Sequence, residues 1–148
     1  MPQPSPREVL DRYRRAILDR SADDLAELYA ADAVHEFPFL FPGMPACYRG
    51  REEIRAGYAA AWGASPARPT EIREVAVHES TDPEVLTVEQ LVVGTLATTG
   101  APFAFPGLLV LRVRDGRLVQ VRDYMDGLGV AHAMGRLPAV AARLAEQG

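Results

Sequence analysis

Residues 84–125, EVLTVEQLVVGTLATTGAPFAFPGLLVLRVRDGRLVQVRDYM, turn the hydrophobic period of this chain from helical to alternating. The alternation predicts strands near 85–97, 103–114 and 117–125, with another near 71–79 before them. Asp82-Pro83, Thr99-Gly100 and Asp115-Gly116 supply the turns, so the run from Glu84 to Met125 reads as a meander of long hairpins. Strict alternation in the last strand puts Val119, Val121, Asp123 and Met125 on one face. A carboxylate there is costly unless it is paired, protonated or facing a cavity. Asp123 is therefore either a proton-transfer group in an apolar pocket or a structural anion held by Arg122, Arg12 or a helix N-terminus. Glu89 and Gln90 are consecutive and cannot both face inward. Leu109, Leu111 and Val113 face inward unless Pro106-Gly107 hides a bulge.

The first half is helical. Ser5-Pro6-Arg7-Glu8 is a capping box with proline at the first helical position, and Val9, Leu10, Tyr13, Ile17 and Leu18 continue a helix over 6–19. Ser21 caps a second helix with Leu25, Leu28 and Tyr29 on its apolar side. Ala33 to Phe37 reads as a short strand, and Pro38, Pro42, Gly43, Pro45 and Gly50 make the next stretch a loop. A third helix runs from Arg51 to Trp62, with Ile54, Tyr58 and Trp62 on one stripe. A helical piece from Leu128 to Met134 ends at Gly135, and Pro138 starts another turn or two. Helices first and a mostly antiparallel sheet after them make an α+β fold, read as one domain over 1–148.

The bulk numbers exclude several function classes. A net charge of −4 with no basic block argues against nucleic-acid and anionic-membrane partners. No apolar run approaches the roughly 20 residues of a membrane span. Met1 to Ser5 lacks a signal pattern, which reads as cytoplasmic. All 16 basic residues are arginine, so Schiff-base chemistry and a P-loop lysine are excluded. The histidines His35, His78 and His132 lack metal-ligand spacing, and Cys47 stands alone, so neither a metal nor another cofactor is expected.

The order helix, helix, strand, loop, helix, four strands resembles the cone-shaped fold of the nuclear transport factor 2-like superfamily, which includes ketosteroid isomerase and the SnoaL-like polyketide cyclases. Val9 to Tyr13, Ser21 to Asp32 (SADDLAELYAAD) and Ala33 to Pro38 are similar to the isomerase N-terminal half. Phe37-Pro38-Phe39 through Gly43-Met44-Pro45, then Arg49 to Ile54, look like SnoaL-like proteins. Arg122-Asp123-Tyr124-Met125-Asp126 with Ala133-Met134-Gly135 resembles the C-terminal pattern of the phenazine-biosynthesis A and B proteins. The resemblance implies a curved sheet wrapped around N-terminal helices, with an apolar cavity between them. This fold hosts isomerases, cyclases, dehydratases, epoxide hydrolases and non-enzymes, so it does not name a reaction. Ketosteroid isomerase uses two acids whose matching positions here are Phe37 and Leu109; its oxyanion tyrosine matches Tyr13. Asp123 matches the acid of the phenazine proteins.

Two function classes follow. The first is a cofactor-independent acid–base enzyme acting on a small apolar, cyclic carbonyl compound. Asp123 moves the proton, His35 assists or orients it from the face it shares with Phe37, and Tyr13 donates to the developing oxyanion. The expected cavity wall comprises Phe37, Leu109, Val121 and Met125 of the sheet, Tyr58 and Trp62 of the third helix, and Phe39, Phe41 and Met44 of the loop, which acts as a lid or a dimer contact. The second class is a binding or assembly module without chemistry. An open pocket holding Asp123 and His35 favours the first; a cone filled by Trp62, Phe37 and Phe105 favours the second. Leu91-Val92-Val93 and Leu108 to Leu111 are apolar on both alternations, so the outer face of the sheet calls for a second cover, read as a homodimer.

Overall fold

The computed structural model describes residues 2–148. In chain order the elements are α1 (Pro6–Asp19), α2 (Ala22–Glu27), β1 (Tyr29–Glu36), β2 (Cys47–Arg49), α3 (Arg51–Ala64), β3 (Ala67–Glu79), β4 (Val85–Leu96), β5 (Pro102–Arg114), β6 (Arg117–Met125), α4 (Gly127–Ala133) and α5 (Leu137–Glu146). The strands form one curved, unclosed sheet in the order β2-β1-β6-β5-β4-β3. Every pairing is antiparallel except β1 with β6. Among the described residues no helix is long and apolar enough to cross a membrane.

The N-terminal helix forms as its caps dictate. Ser5 Oγ accepts from the Glu8 backbone N–H at 3.2 Å, and a Glu8 carboxylate oxygen accepts from the Ser5 N–H at 2.8 Å. The inner stripe of α1, Val9, Leu10, Tyr13 and Ala16, is buried against the inner sheet face, where Val88, Leu109, Leu111 and Val121 meet it in one core cluster. The pairing of β4 with β5 runs through Pro106 and Gly107 without a shift, so Phe103, Leu109, Leu111 and Val113 are buried as alternation requires. The same parity buries Gln90 and turns Glu89 outward to His78 at 3.0 Å.

Four sequence readings need correction. Tyr29 does not end α2; it opens β1, which begins before Ala33. The loop after Pro38 contains β2, three residues paired antiparallel to β1. In β6 the register shifts from Arg112↔Gln120 to Val113↔Leu118, so Val119 is the extra residue of a bulge. Leu118 takes the buried place, and Val119 does not share the face of Val121. The last helix, α5, runs ten residues rather than a turn or two.

The junction of β3 and β4 has no room for a side chain at Gly94, where an added Cβ would run into the Arg68 carbonyl oxygen and Pro69 Cα. Both are backbone atoms and cannot rotate aside. Gly94→Ala is therefore expected to destabilise the fold by about 1–3 kcal/mol, the range for overpacking. A urea or thermal melt checks it; an unchanged midpoint would mean that the strands part freely there.

Candidate active site

His35 is the centre of the site. It lies on β1, whose parallel register sets it beside Val121 of β6, and Asp123 is two residues further along the same face. His35 is completely buried. Its Nδ1 is 2.8 Å from the Tyr29 hydroxyl, and its Nε2 is 3.2 Å from Asp123 Oδ2 and 3.0 Å from the Tyr58 hydroxyl. Tyr13, also buried, lies next to both Tyr58 and Tyr29. Tyr29, Tyr58 and Asp123 thus converge on one buried imidazole, and Tyr13 stands beside the two tyrosines. Neutral imidazole offers one N–H and one lone pair. With Nε2–H donating toward Asp123, Nδ1 accepts from Tyr29; in the other tautomer Nδ1–H donates to Tyr29 and Nε2 accepts from Tyr58 or a protonated Asp123. A proton can therefore pass between Asp123 and His35 Nε2 while Tyr29 stays paired with Nδ1, as donor or as acceptor.

Burial pushes the tyrosine hydroxyls well above their ordinary pKa. For Tyr13 the first cause is loss of solvent, followed by the nearby Asp123 charge. Tyr29 and Tyr58 are raised by burial first, then by Tyr13 and Asp123. All three therefore remain protonated donors at neutral pH.

A cavity of about 300 Å³ lies between α1, α3 and the sheet, and Asp123, Tyr13, Tyr58, Trp62, Phe37, Leu109, Met125 and Met44 line it as expected. Its wall also includes Tyr48, Gln90, Phe103 and Phe105. Asp123 retains 16% side-chain exposure, and among the described residues no arginine is within ion-pair distance of it. Arg122 instead meets Glu36 at 3.5 Å and stands over the Tyr124 ring. His35 is not on the wall; it sits behind Asp123 and Tyr58 and reaches the cavity only through them. Val121 is likewise core and not wall.

A second hollow of about 880 Å³ opens at the mouth and over the outer face, lined by Phe39, Leu40, Phe41, Met44 and Tyr124. Phe39 and Phe41 belong to this groove and not to the inner cavity; Phe39 is 65% exposed and meets Tyr124 edge-on at 5.2 Å. Although larger, this hollow touches neither Asp123 nor Tyr13, which line the smaller one. Of the loop residues singled out, Met44 alone lines both spaces.

The wall and the imidazole's partners include residues that sequence reasoning did not identify as site residues. Tyr29 was hidden by its reading as helical. Gln90 was one of two open choices, and the burial of Leu86 and Val88 decides it. Phe103 shares the inward alternation of Leu109, and its ring stacks on Phe105 at 4.5 Å.

The SnoaL-like domain profile matches residues 10–121. The chain is 28% identical over 139 residues to a PhzA/B-like protein of Pseudomonas aeruginosa, covering 91% of this chain and 94% of that one. It is similar to the crystal structure of a candidate isomerase from Bacillus subtilis, with a TM-score of 0.79, 28% identity and coverage of 87% and 91%. It shares its fold with a ketosteroid isomerase-like protein of Catenulispora acidiphila, solved in complex with trimethylamine, at a TM-score of 0.71, 22% identity and coverage of 89% and 95%.

The raised tyrosines set an alkaline limit. The folded state holds these protons more tightly than the unfolded chain, whose tyrosines ionise near pH ~10. Their contribution to stability is complete below that pH and is lost as pH rises toward the folded values. In a spectrophotometric titration, three of the five tyrosines should ionise only together with unfolding. Smooth ionisation of all five in a chain that stays folded would mean that the three buried hydroxyls are open to solvent.

Proposed function

The chain belongs to the SnoaL-like domain family, and from that footing we propose that it is a cofactor-independent acid–base enzyme of isomerase, cyclase or dehydratase type, acting on a small apolar, cyclic carbonyl compound in the inner cavity. The observation that carries this reading is Asp123: a carboxylate on the wall of an open aromatic cavity, free of arginine and backed by a buried histidine. In this reading Asp123 takes a proton from the carbon beside the ligand's carbonyl and returns it elsewhere on the same ligand or to the leaving oxygen. His35 holds Oδ2 and accepts or supplies a proton through Nε2 as the charge on Asp123 changes. Tyr13 and Tyr58, both on the wall, donate to the oxyanion that forms on the carbonyl oxygen. A positioned acid or base contributes roughly 10²–10⁴ in rate, and an oxyanion donor roughly 10²–10³.

A non-catalytic binding module of the same fold is favoured by one observation: Phe37 and Leu109, at the positions the isomerase resemblance assigns to acids, are buried apolar residues. Exchange of the α-protons of cyclic ketones into D₂O, followed by NMR, separates the readings without knowledge of the product. The wild-type protein is expected to accelerate exchange for ketones that it binds, and Asp123→Asn should lower that rate roughly 10²-fold or more while retaining binding. Undiminished exchange in the variant removes Asp123 as the proton carrier. Ketones that bind without any exchange leave the binding module.

We also propose that two copies pair through the outer sheet face. Leu91, Val93, Leu108 and Val110 point away from the core and are only half-buried, and Val75 beside them is exposed. A sheet apolar on both faces needs cover on both. Light scattering at micromolar concentration should give twice 16.1 kDa; a monomer would refute the pairing.

A further inference from the structure

We infer that the ligand of the inner cavity carries a positive charge: it is a small organic cation, a protonated or quaternary amine with apolar substituents, seated against Asp123 and the aromatic walls. The inference rests on the reading of this cavity as the ligand site and deepens it.

Among the described residues the formally charged side chains lining the cavity are Asp123 inside and Asp126 at the rim, and no arginine or histidine lines it. Arg14 does not line the cavity; it donates to Gln90 at 3.1 Å and pairs with Glu74 at 2.8 Å, and its Nη2 is buried without a hydrogen-bond partner. Arg20 donates to the Trp62 carbonyl at the C-terminal end of α3, and Arg68 donates to the Ser65 and Ala67 carbonyls. An entering carboxylate or phosphate would find no cation and would face two like charges. A neutral ligand would leave the Asp123 carboxylate with His35 Nε2 behind it and no cation facing it from the cavity. A cation answers it directly.

The wall chemistry points the same way. Phe37, Tyr48, Tyr58, Trp62, Phe103 and Phe105 line the cavity together with the carboxylate. Phe37, Tyr48, Tyr58 and Trp62 are joined by successive edge-to-face contacts at 5.6, 6.0 and 5.1 Å, so the rings are braced against collapse into the space. Aromatic rings attract a cation through the negative charge of their faces, most strongly where solvent is excluded, and Trp is the best of them. A carboxylate with several aromatic neighbours in one small cavity is the environment that a substituted ammonium prefers over water. The proposal also suits proton transfer: a positive nitrogen near the substrate carbonyl makes the adjacent C–H more acidic and offsets the enolate charge that forms.

The test uses three probes of similar size and Trp62, the chain's single tryptophan and a wall residue, as the reporter. Benzyltrimethylammonium, its uncharged carbon isostere neopentylbenzene and the anion phenylacetate are titrated against the intact protein by fluorescence and calorimetry. The expected result is that the cation binds at least tenfold more tightly than the isostere and that the anion does not bind. Asp123→Asn should erase most of that preference. Phe103→Leu, which leaves the carboxylate and the reporter in place, should weaken the cation more than the isostere. Equal or tighter binding of the neutral isostere overturns the inference while leaving the cavity as a ligand site. Failure of all three probes to bind overturns both.

Discussion

A completely buried imidazole must find partners for both ring nitrogens inside the protein, because an unsatisfied buried polar group costs about 1–3 kcal/mol. His35 meets this demand with three side chains from three elements: Tyr29 from its own strand, Tyr58 from α3 and Asp123 from β6. Tyr13 brings α1 alongside Tyr29 and Tyr58. Much of the molecule follows from that demand. The parallel pairing of β1 with β6, the one exception in an otherwise antiparallel sheet, sets His35 within reach of Asp123. The third helix then lies where Tyr58 can reach Nε2, so the imidazole ties the orientation of the carboxylate to the docking of α3.

The cavity is a consequence of parity as much as of helix placement. Along β4, β5 and β6 the inward positions near the helix-covered end are Val88, Leu111 and Val121, which fill the core. Further along the same faces come Gln90, Phe105, Leu109, Asp123 and Met125, which border open space. The change from filled to open occurs within one turn of strand alternation, between Val121 and Asp123. A carboxylate one alternation deeper would be desolvated entirely; one alternation nearer the mouth would be in water. At Asp123 it is anchored from behind by His35 and open in front.

The caps and periods of the chain were legible from its residues because they are local. The capping box at Ser5, the alternation of β4 and β5 and the inward placement of Asp123 all depend on neighbours a few positions away. What was not legible is non-local. The pairing of β1 with β6 joins residues more than 80 positions apart, and no local pattern encodes it. Tyr29 looks helical because its spacing continues α2, and only the sheet claims it for β1. The bulge at Val119 is invisible because Val119 and Leu118 are equally apolar, so the sequence is silent on which of them points inward. His35 was placed on the correct face but one layer too shallow: alternation gives the direction of a side chain and not the depth at which Asp123 and Tyr58 cover it. The loop aromatics Phe39 and Phe41 fell outside the inner cavity for a similar reason, since a proline-rich loop has no period from which a direction can be read.

Leu109 and Asp123 are direct partners in the β5–β6 register. Leu109 occupies the position that the isomerase resemblance assigns to an acid, and the carboxylate of this chain stands one strand away, a displacement of roughly 4.8 Å. The move changes more than an address. A carboxylate at Leu109 would have the apolar side chains of β4 and β5 around it, whereas at Asp123 it stands on the strand next to β1 and gains His35 as a partner. An isolated acid in apolar surroundings suits hydrogen-bond donation in its neutral form. A carboxylate coupled to an imidazole suits repeated gain and loss of a proton, because the ring behind it can take up either tautomer. A ligand oriented on the Tyr13 hydroxyl would also offer a different atom to a group that approaches from the neighbouring strand. In the acid–base reading proposed above, the basin and the Tyr13 hydroxyl would be kept, and the strand that carries Asp123 would decide which atom of the ligand meets the carboxylate.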